Sequence, residues 1–278
     1  MQRNLEIEAR AGLKEAKRIV IKVGTSTVTY PGGAVDLENV ERICRALANQ
    51  MNQGVEVILV SSGAIAMGMN KMRENSRPGS LPEKQALAAI GQVALMNYYT
   101  RILAEYDHVA AQILLTKDDV DQEESRTNII NTFEALLEKK VLPIINENDS
   151  VSTREVLHNG TFGDNDTLSA IVAKICHADL LILLSDVDGL YDLDPHASKT
   201  DLVEAKMISF VPSITSEIEA LGGDAGSMLG TGGMLTKIQA AKLANKAGID
   251  MVITQGHRPE DISRILNGEQ IGTLFAAK

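Results

Sequence analysis

Leu180-Leu181-Ile182-Leu183-Leu184-Ser185-Asp186-Val187-Asp188-Gly189 is an unbroken apolar run that ends in a polar turn. A strand with one wet face alternates apolar and polar residues. A continuous apolar run predicts a strand covered on both faces, as in a parallel sheet. The same grammar recurs along the chain. Ile19-Val20-Ile21 ends at Lys22, Val55 to Val60 runs into Ser61-Ser62-Gly63-Ala64, and Val141 to Ile145 runs into Asn146-Glu147-Asn148-Asp149-Ser150. Val109 to Leu115, Met251 to Thr254 and Ile271 to Phe275 are further strand segments.

Helical periods fill the intervals. Residues 37–51 place Leu37, Val40, Cys44, Leu47 and Met51 on one face, and Pro82 opens a long helix over 82–105. Residues 123–138 turn Ile129, Phe133 and Leu137 inward, and a later helix carries Leu168, Ile171, Val172 and Ile175. Further helices are expected over 234–247 and 260–267, and the first 18 residues read as a short helical lead-in. Asn159-Gly160 predicts a hairpin turn between Val156-Leu157 and Thr161-Phe162. The alternation predicts an α/β fold: a mainly parallel central sheet covered by helices on both faces, a three-layer α/β/α arrangement. No internal repeat or Pro/Gly/Ser linker divides the chain, so 1–278 reads as a single domain.

Composition excludes several functions. The chain has 278 residues, a hydrophobic fraction of 44% and a formal net charge of −10. A general nucleic-acid or membrane-surface binder needs a basic face, which this charge argues against. No apolar run approaches the roughly 20 residues that span a bilayer. Cys44 and Cys176 form no C-x-x-C motif or disulfide framework, which fits a reducing cytoplasmic compartment. His108, His158, His177, His196 and His257 lack metal-ligand spacing, and no metal ligand is assigned to the protein.

In open parallel sheets, ligands bind beyond the carboxyl ends of the strands. The unusual residues of this chain fall there. Lys22 closes the first strand before Val23-Gly24-Thr25-Ser26. It either projects over the end of the sheet or snorkels to water. Ser62 and Gly63 open a helix, either as an anion cradle or as an ordinary cap. Asp149 stands in a polar mouth richer than a turn requires, suited to a substrate ammonium. Gly163-Asp164-Asn165-Asp166 precedes a helix, as an acidic cap or as part of a site. Ser185 and Asp186 suit a nucleoside. Gly230-Thr231-Gly232-Gly233-Met234-Leu235-Thr236-Lys237 sets bare amides and an ammonium at a helix start, a phosphate clamp or a surface turn. The chain contains neither a Walker A loop nor a G-x-G-x-x-G fingerprint.

Taken together, these segments resemble the amino acid kinase family: IVIKVGTS at 19–26, SSGAIAMG at 61–68, INENDSV at 145–151, GDND at 163–166, LLSDVDGLY at 183–191, GTGGMLTK at 230–237 and GTLF at 272–275. The likeness covers residues 17–276 in family order. It is strongest for the branch that transfers a phosphoryl group from ATP to the γ-carboxylate of L-glutamate, opening proline synthesis. It implies an amino-acid-binding lobe at about 17–175 and a nucleotide-binding lobe at about 176–278. Lys22 and Lys237 resemble the lysines on the transferred phosphoryl group, and Asp166 the aspartate that organises them. Ser62, Gly63, Asp149 and Asn165 match amino-acid-binding positions. Lys22, Ser185, Asp186 and the stretch Thr231, Gly232, Gly233, Met234, Leu235, Thr236 and Lys237 match nucleotide positions. Mg²⁺ is expected with ATP. Proline as a feedback inhibitor, homo-oligomerisation and coupling to glutamate-5-semialdehyde dehydrogenase are further family expectations. Many relatives add a small C-terminal PUA-type domain; this chain stops just after Phe275, so its functions are not expected. The competing readings are a kinase of the same family acting on another carboxylate or UMP, and a non-catalytic glutamate or proline sensor.

Overall fold

A computed structural model describes residues 2–74, 76, 78–151, 165–193, 205–223 and 233–277. Helix α1 (Gln2–Gly12) and a 3₁₀ turn precede β1 (Arg18–Val23). Helices α2 (Thr25–Val28) and α3 (Leu37–Asn52) lead to β2 (Glu56–Ser61), and α4 (Ala64–Met72) and α5 (Leu81–Ala104) lead to β3 (Ala110–Leu115). Then come α6 (Lys117–Asp121), α7 (Glu123–Glu138), β4 (Leu142–Glu147), α8 (Asn165–Ile175) and β5 (Leu180–Ser185). Short strands β6 (Leu190–Tyr191), β7 (Met207–Ile208) and β8 (Phe210–Val211) and helix α9 (Ser216–Ala220) follow. The last elements are α10 (Met234–Lys246), β9 (Asp250–Gln255), α11 (Asp261–Leu266) and β10 (Thr273–Phe275).

One eight-stranded sheet runs β3-β4-β2-β1-β5-β9-β10-β8. The first six strands are mutually parallel, β10 is antiparallel to β9, and β8 is parallel to β10. Alternate residues of β1 enter separate cores. Val20 joins Phe133, Leu168 and Ile238 on one face, while Ile19 and Ile21 join Ile43, Leu95 and Ile262 on the other. All of these are buried. Two covered faces are why the strand carries no polar alternation. The fold is thus the expected three-layer α/β/α arrangement, with helices α7, α8 and α10 opposite α3, α5 and α11.

The structure corrects several boundaries. β1 extends through Val23, so Lys22 is inside the strand, level with Val60 and Leu183 of its neighbours. β4 extends through Asn146 and Glu147, which are strand residues rather than part of the loop. Helix α8 begins at Asn165, placing Asn165 and Asp166 in its first turn instead of before it. Leu37 is 54% exposed, because the first turn of α3 runs past the core contact, while Ile43 is fully buried. The final strand β10 opposes the parallel set, a direction that three residues cannot announce. The proposed turn at Asn159-Gly160 lies outside the described residues.

Three sets of contacts fix the frame of the fold. Helix α5 starts with a capping box: Ser80 accepts from the Glu83 amide while Glu83 accepts from the Ser80 amide. Farther along, a Cβ on Gly91 would fall 1.7 Å from the Ala64 carbonyl oxygen, so α4 and α5 meet backbone to backbone. On the opposite edge, the buried Arg10 of α1 donates to the carbonyls of Ser209, Glu269, Ile271 and Gly272, and pairs with Glu6. Among the described residues, no helix is long and apolar enough to cross a membrane.

Candidate active site

Because β4, β2, β1 and β5 are adjacent and parallel, their carboxyl ends open on one edge of the sheet. Lys22 arrives from β1, Asp166 from the first turn of α8 and Lys237 from the first turn of α10. Lys22 Nζ lies 2.6 Å from Asp166 Oδ1, and Lys237 Nζ lies 3.2 Å from Oδ2. Thr236 adds its hydroxyl, 3.0 Å from the same Oδ2. Asp166 is 0% exposed, and the lysines are 7% and 5% exposed. Burial pushes the Asp166 carboxyl up, but Lys22 and Lys237 together hold it below its ordinary 3.8. It is therefore a carboxylate at neutral pH, held between two ammonium groups.

Lys22 does not snorkel; its ammonium is buried on Asp166. Two ammonium groups and one carboxylate are thus gathered in a buried place. Such an arrangement favours an incoming polyanion.

Ser62 and Asn165 form a second group. Asn165 Nδ2 donates to Ser62 Oγ at 2.6 Å and to Asn146 Oδ1 at 3.1 Å. The N-cap of α4 is Gly63, with no side-chain capping bond, so Ser62 is not the cap of that helix. Gly63 has φ +105°, and a Cβ there would also meet Val28 Cγ2 at 2.8 Å. Only glycine turns the chain sharply enough to present Ser62 to Asn165. One residue earlier, Ser61 shares a 2.9 Å hydrogen bond with Tyr99 of α5.

Asp149 borders a cavity of ≈ 240 Å³ with Gln92, Ala64, Glu147 and Asn148. That cavity adjoins the Ser62 group through Asn146, whose Nδ2 donates to Gln92 Oε1 at 2.9 Å. At the end of β5, Ser185 is buried and donates to the exposed Asp186, 2.9 Å away. Gly233 is the N-cap of α10, and Met234, Leu235 and Thr236 precede Lys237 in that helix. Thr231 and Gly232 lie outside the described residues. Sequence reasoning missed Gln92, an isolated amide in an apolar helical stretch. It assigned no separate role to Asn146, which only the strand boundary makes distinctive.

Among the described residues, no three His, Cys, Asp or Glu side chains converge as a metal centre. Asp166 has its two oxygens on ammonium groups, a poor donor set for a cation.

The model of the amino acid kinase family matches residues 17–255. The chain is 51% identical to the glutamate 5-kinase of Clostridium perfringens over 97% of its length and 98% of that protein. It is 50% identical to the glutamate 5-kinase of Listeria monocytogenes, over 97% of this chain and 96% of the relative. Among solved structures it is similar to the UMP kinase of Bacillus anthracis, with a TM-score of 0.61 and 16% identity over 93% of this chain and 95% of that one. At that identity the likeness concerns the fold.

Proposed function

The chain belongs to the amino acid kinase family, and on that footing we propose how its site works as a phosphotransferase. It phosphorylates the γ-carboxylate of L-glutamate with ATP, giving γ-glutamyl phosphate for proline synthesis. The observation that carries the mechanism is the buried Lys22–Asp166–Lys237 group.

A glutamate side chain has a free pKa of about 4.3, so the nucleophile is already ionised at neutral pH. No general base is needed. The barrier lies in bringing an anion up to a triphosphate. Lys22 and Lys237 spread positive charge over the transferring phosphoryl group from β1 and α10, while Asp166 fixes the two ammonium groups. Ser62, Gly63, Asn165 and Asp149 hold the amino acid, Asp149 taking its ammonium. Ser185, Asp186 and the 231–237 stretch hold the nucleotide. Residues of about 17–175 thus serve the amino acid and those of about 176–278 the nucleotide. ATP would bring Mg²⁺ with it, which would supply charge neutralisation on the nucleotide when bound.

The same reading carries inhibition by proline, assembly as a homo-oligomer in the cytoplasm and delivery of the labile acyl phosphate to glutamate-5-semialdehyde dehydrogenase. The test is Mg·ATP-dependent acyl phosphate formation trapped with hydroxylamine. L-glutamate, L-aspartate, N-acetylglutamate and a blank run in parallel, with and without proline. Hydroxamate from glutamate alone is the expected result. Signal from another acceptor changes the substrate; silence from folded protein favours a sensor.

A further inference from the structure

Gln92 is the polar exception on the buried stripe of α5 that holds Leu87, Ala88, Gly91, Ala94 and Leu95. It is 8% exposed and 54 residues from the asparagine it touches. We propose that Gln92 is a positioning residue for the amino-acid subsite, acting through Asn146 to set the orientation of Asn165. The inference rests on the reading of that subsite given above.

The argument follows the direction of each hydrogen bond. The Glu147 backbone N–H is a donor and nothing else, and it lies 2.9 Å from Asn146 Oδ1. That contact fixes which end of the Asn146 amide is oxygen. Nδ2 must then point the other way, and Asn146 is only 2% exposed, so it needs a protein acceptor. Gln92 Oε1, at 2.9 Å, supplies it. With Oδ1 held in place, Asn146 can accept only from the nitrogen of Asn165, at 3.1 Å. Ser62 Oγ and the Ser61 carbonyl, at 2.6 and 3.4 Å, also draw that nitrogen. The Asn165 amide is thereby turned with its oxygen away from all three acceptors, as the group offered to a donor such as a substrate ammonium.

Without an acceptor at position 92, the buried Asn146 Nδ2 is stranded. The inexpensive escape is rotation of Asn146, which withdraws Oδ1 from Asn165. Asp166, by contrast, is held by two lysines that do not belong to this chain of amides. The disturbance therefore falls on amino-acid binding and spares the phosphoryl site one residue along.

The experiment is a kinetic comparison of wild type, Gln92→Leu, Gln92→Ala and Gln92→Glu, each checked for folding by circular dichroism and a urea midpoint. Leucine matches the size without an acceptor, and alanine tests the same loss if leucine does not fit. Glutamate keeps an acceptor oxygen at the same reach. The expected result is a KM for L-glutamate raised about tenfold in the Leu or Ala variant, the scale of one hydrogen bond. The kcat and the KM for ATP should stay near wild type, and Gln92→Glu should recover most of the loss. An unchanged glutamate KM in a folded Leu or Ala variant overturns the proposal. So does an equal fall in every parameter that Gln92→Glu fails to relieve. The wild-type arm, run with both L-glutamate and L-aspartate, judges the substrate reading separately. If aspartate is the acceptor, Gln92 is judged on the aspartate KM.

Discussion

Lys22 Nζ lies 2.6 Å from Asp166 Oδ1, although one residue belongs to a central strand and the other to a covering helix. The pair welds the α8 layer to the sheet at the carboxyl end of β1. Asp166→Asn keeps the shape and removes the charge that two buried ammonium groups share. Breaking a buried ion pair from one side costs about 3–5 kcal/mol. The urea midpoint should fall accordingly; an unchanged midpoint would mean that the lysines find other partners.

The same carboxylate gives a signed pH dependence. Its folded pKa is depressed below the ordinary 3.8. The stability it contributes is therefore present above that value, and is lost as pH falls below it through the depressed folded value. The stability gap between wild type and Asp166→Asn should be constant from pH 5 to 8 and narrow below about 3.8. A gap that closes near neutrality would contradict the assigned ionisation.

On the proposed mechanism, Lys22→Ala and Lys237→Ala each remove one preorganised donor from the transferring group. Such a loss is worth about 100-fold or more in kcat. Steady-state rates at saturating ATP and glutamate measure it. Unchanged turnover in both variants would remove the lysines from the mechanism.

Asp149→Ala should raise the KM for glutamate far more than the KM for ATP, since Asp149 lines the cavity next to Gln92 and Glu147. Equal changes in the two constants would place Asp149 outside the amino-acid subsite.

Gly91→Ala drives a methyl group onto the Ala64 carbonyl, two residues after Ser62. Overpacking of this kind costs about 1–3 kcal/mol, more where backbone must move. A lower thermal midpoint together with a raised glutamate KM is expected. A variant as stable as wild type would show that α4 and α5 separate freely.

Much of the frame was legible because both physical signals are local. The run Leu180 to Leu184 announces its two covered faces directly, and the 3.6-residue period of 123–138 coincides with α7. Lys22, Asp166 and Lys237 were legible as unusual residues at strand and helix ends. Their convergence on one carboxylate was not, since no local pattern records which helix faces which strand. Gln92 was hidden for a related reason: its partner is set by the pairing of α5 with β4. The ends of β4 and α8 were misplaced because Asn146 and Asn165 look like loop residues. Each is held in regular structure by hydrogen bonds from elsewhere in the chain.

Arg10 has a consequence for synthesis on the ribosome. Its acceptors at Glu269, Ile271 and Gly272 stand 259 to 262 residues downstream. At roughly 5–20 residues per second, the guanidinium waits about 13–50 s for these partners to be made. Throughout that interval α1 is translated but lacks these acceptors. Helix α1 is thus translated long before it is fully locked, and a nascent chain halted before Glu269 would hold Arg10 only through Glu6 and Ser209, without its last three carbonyl acceptors.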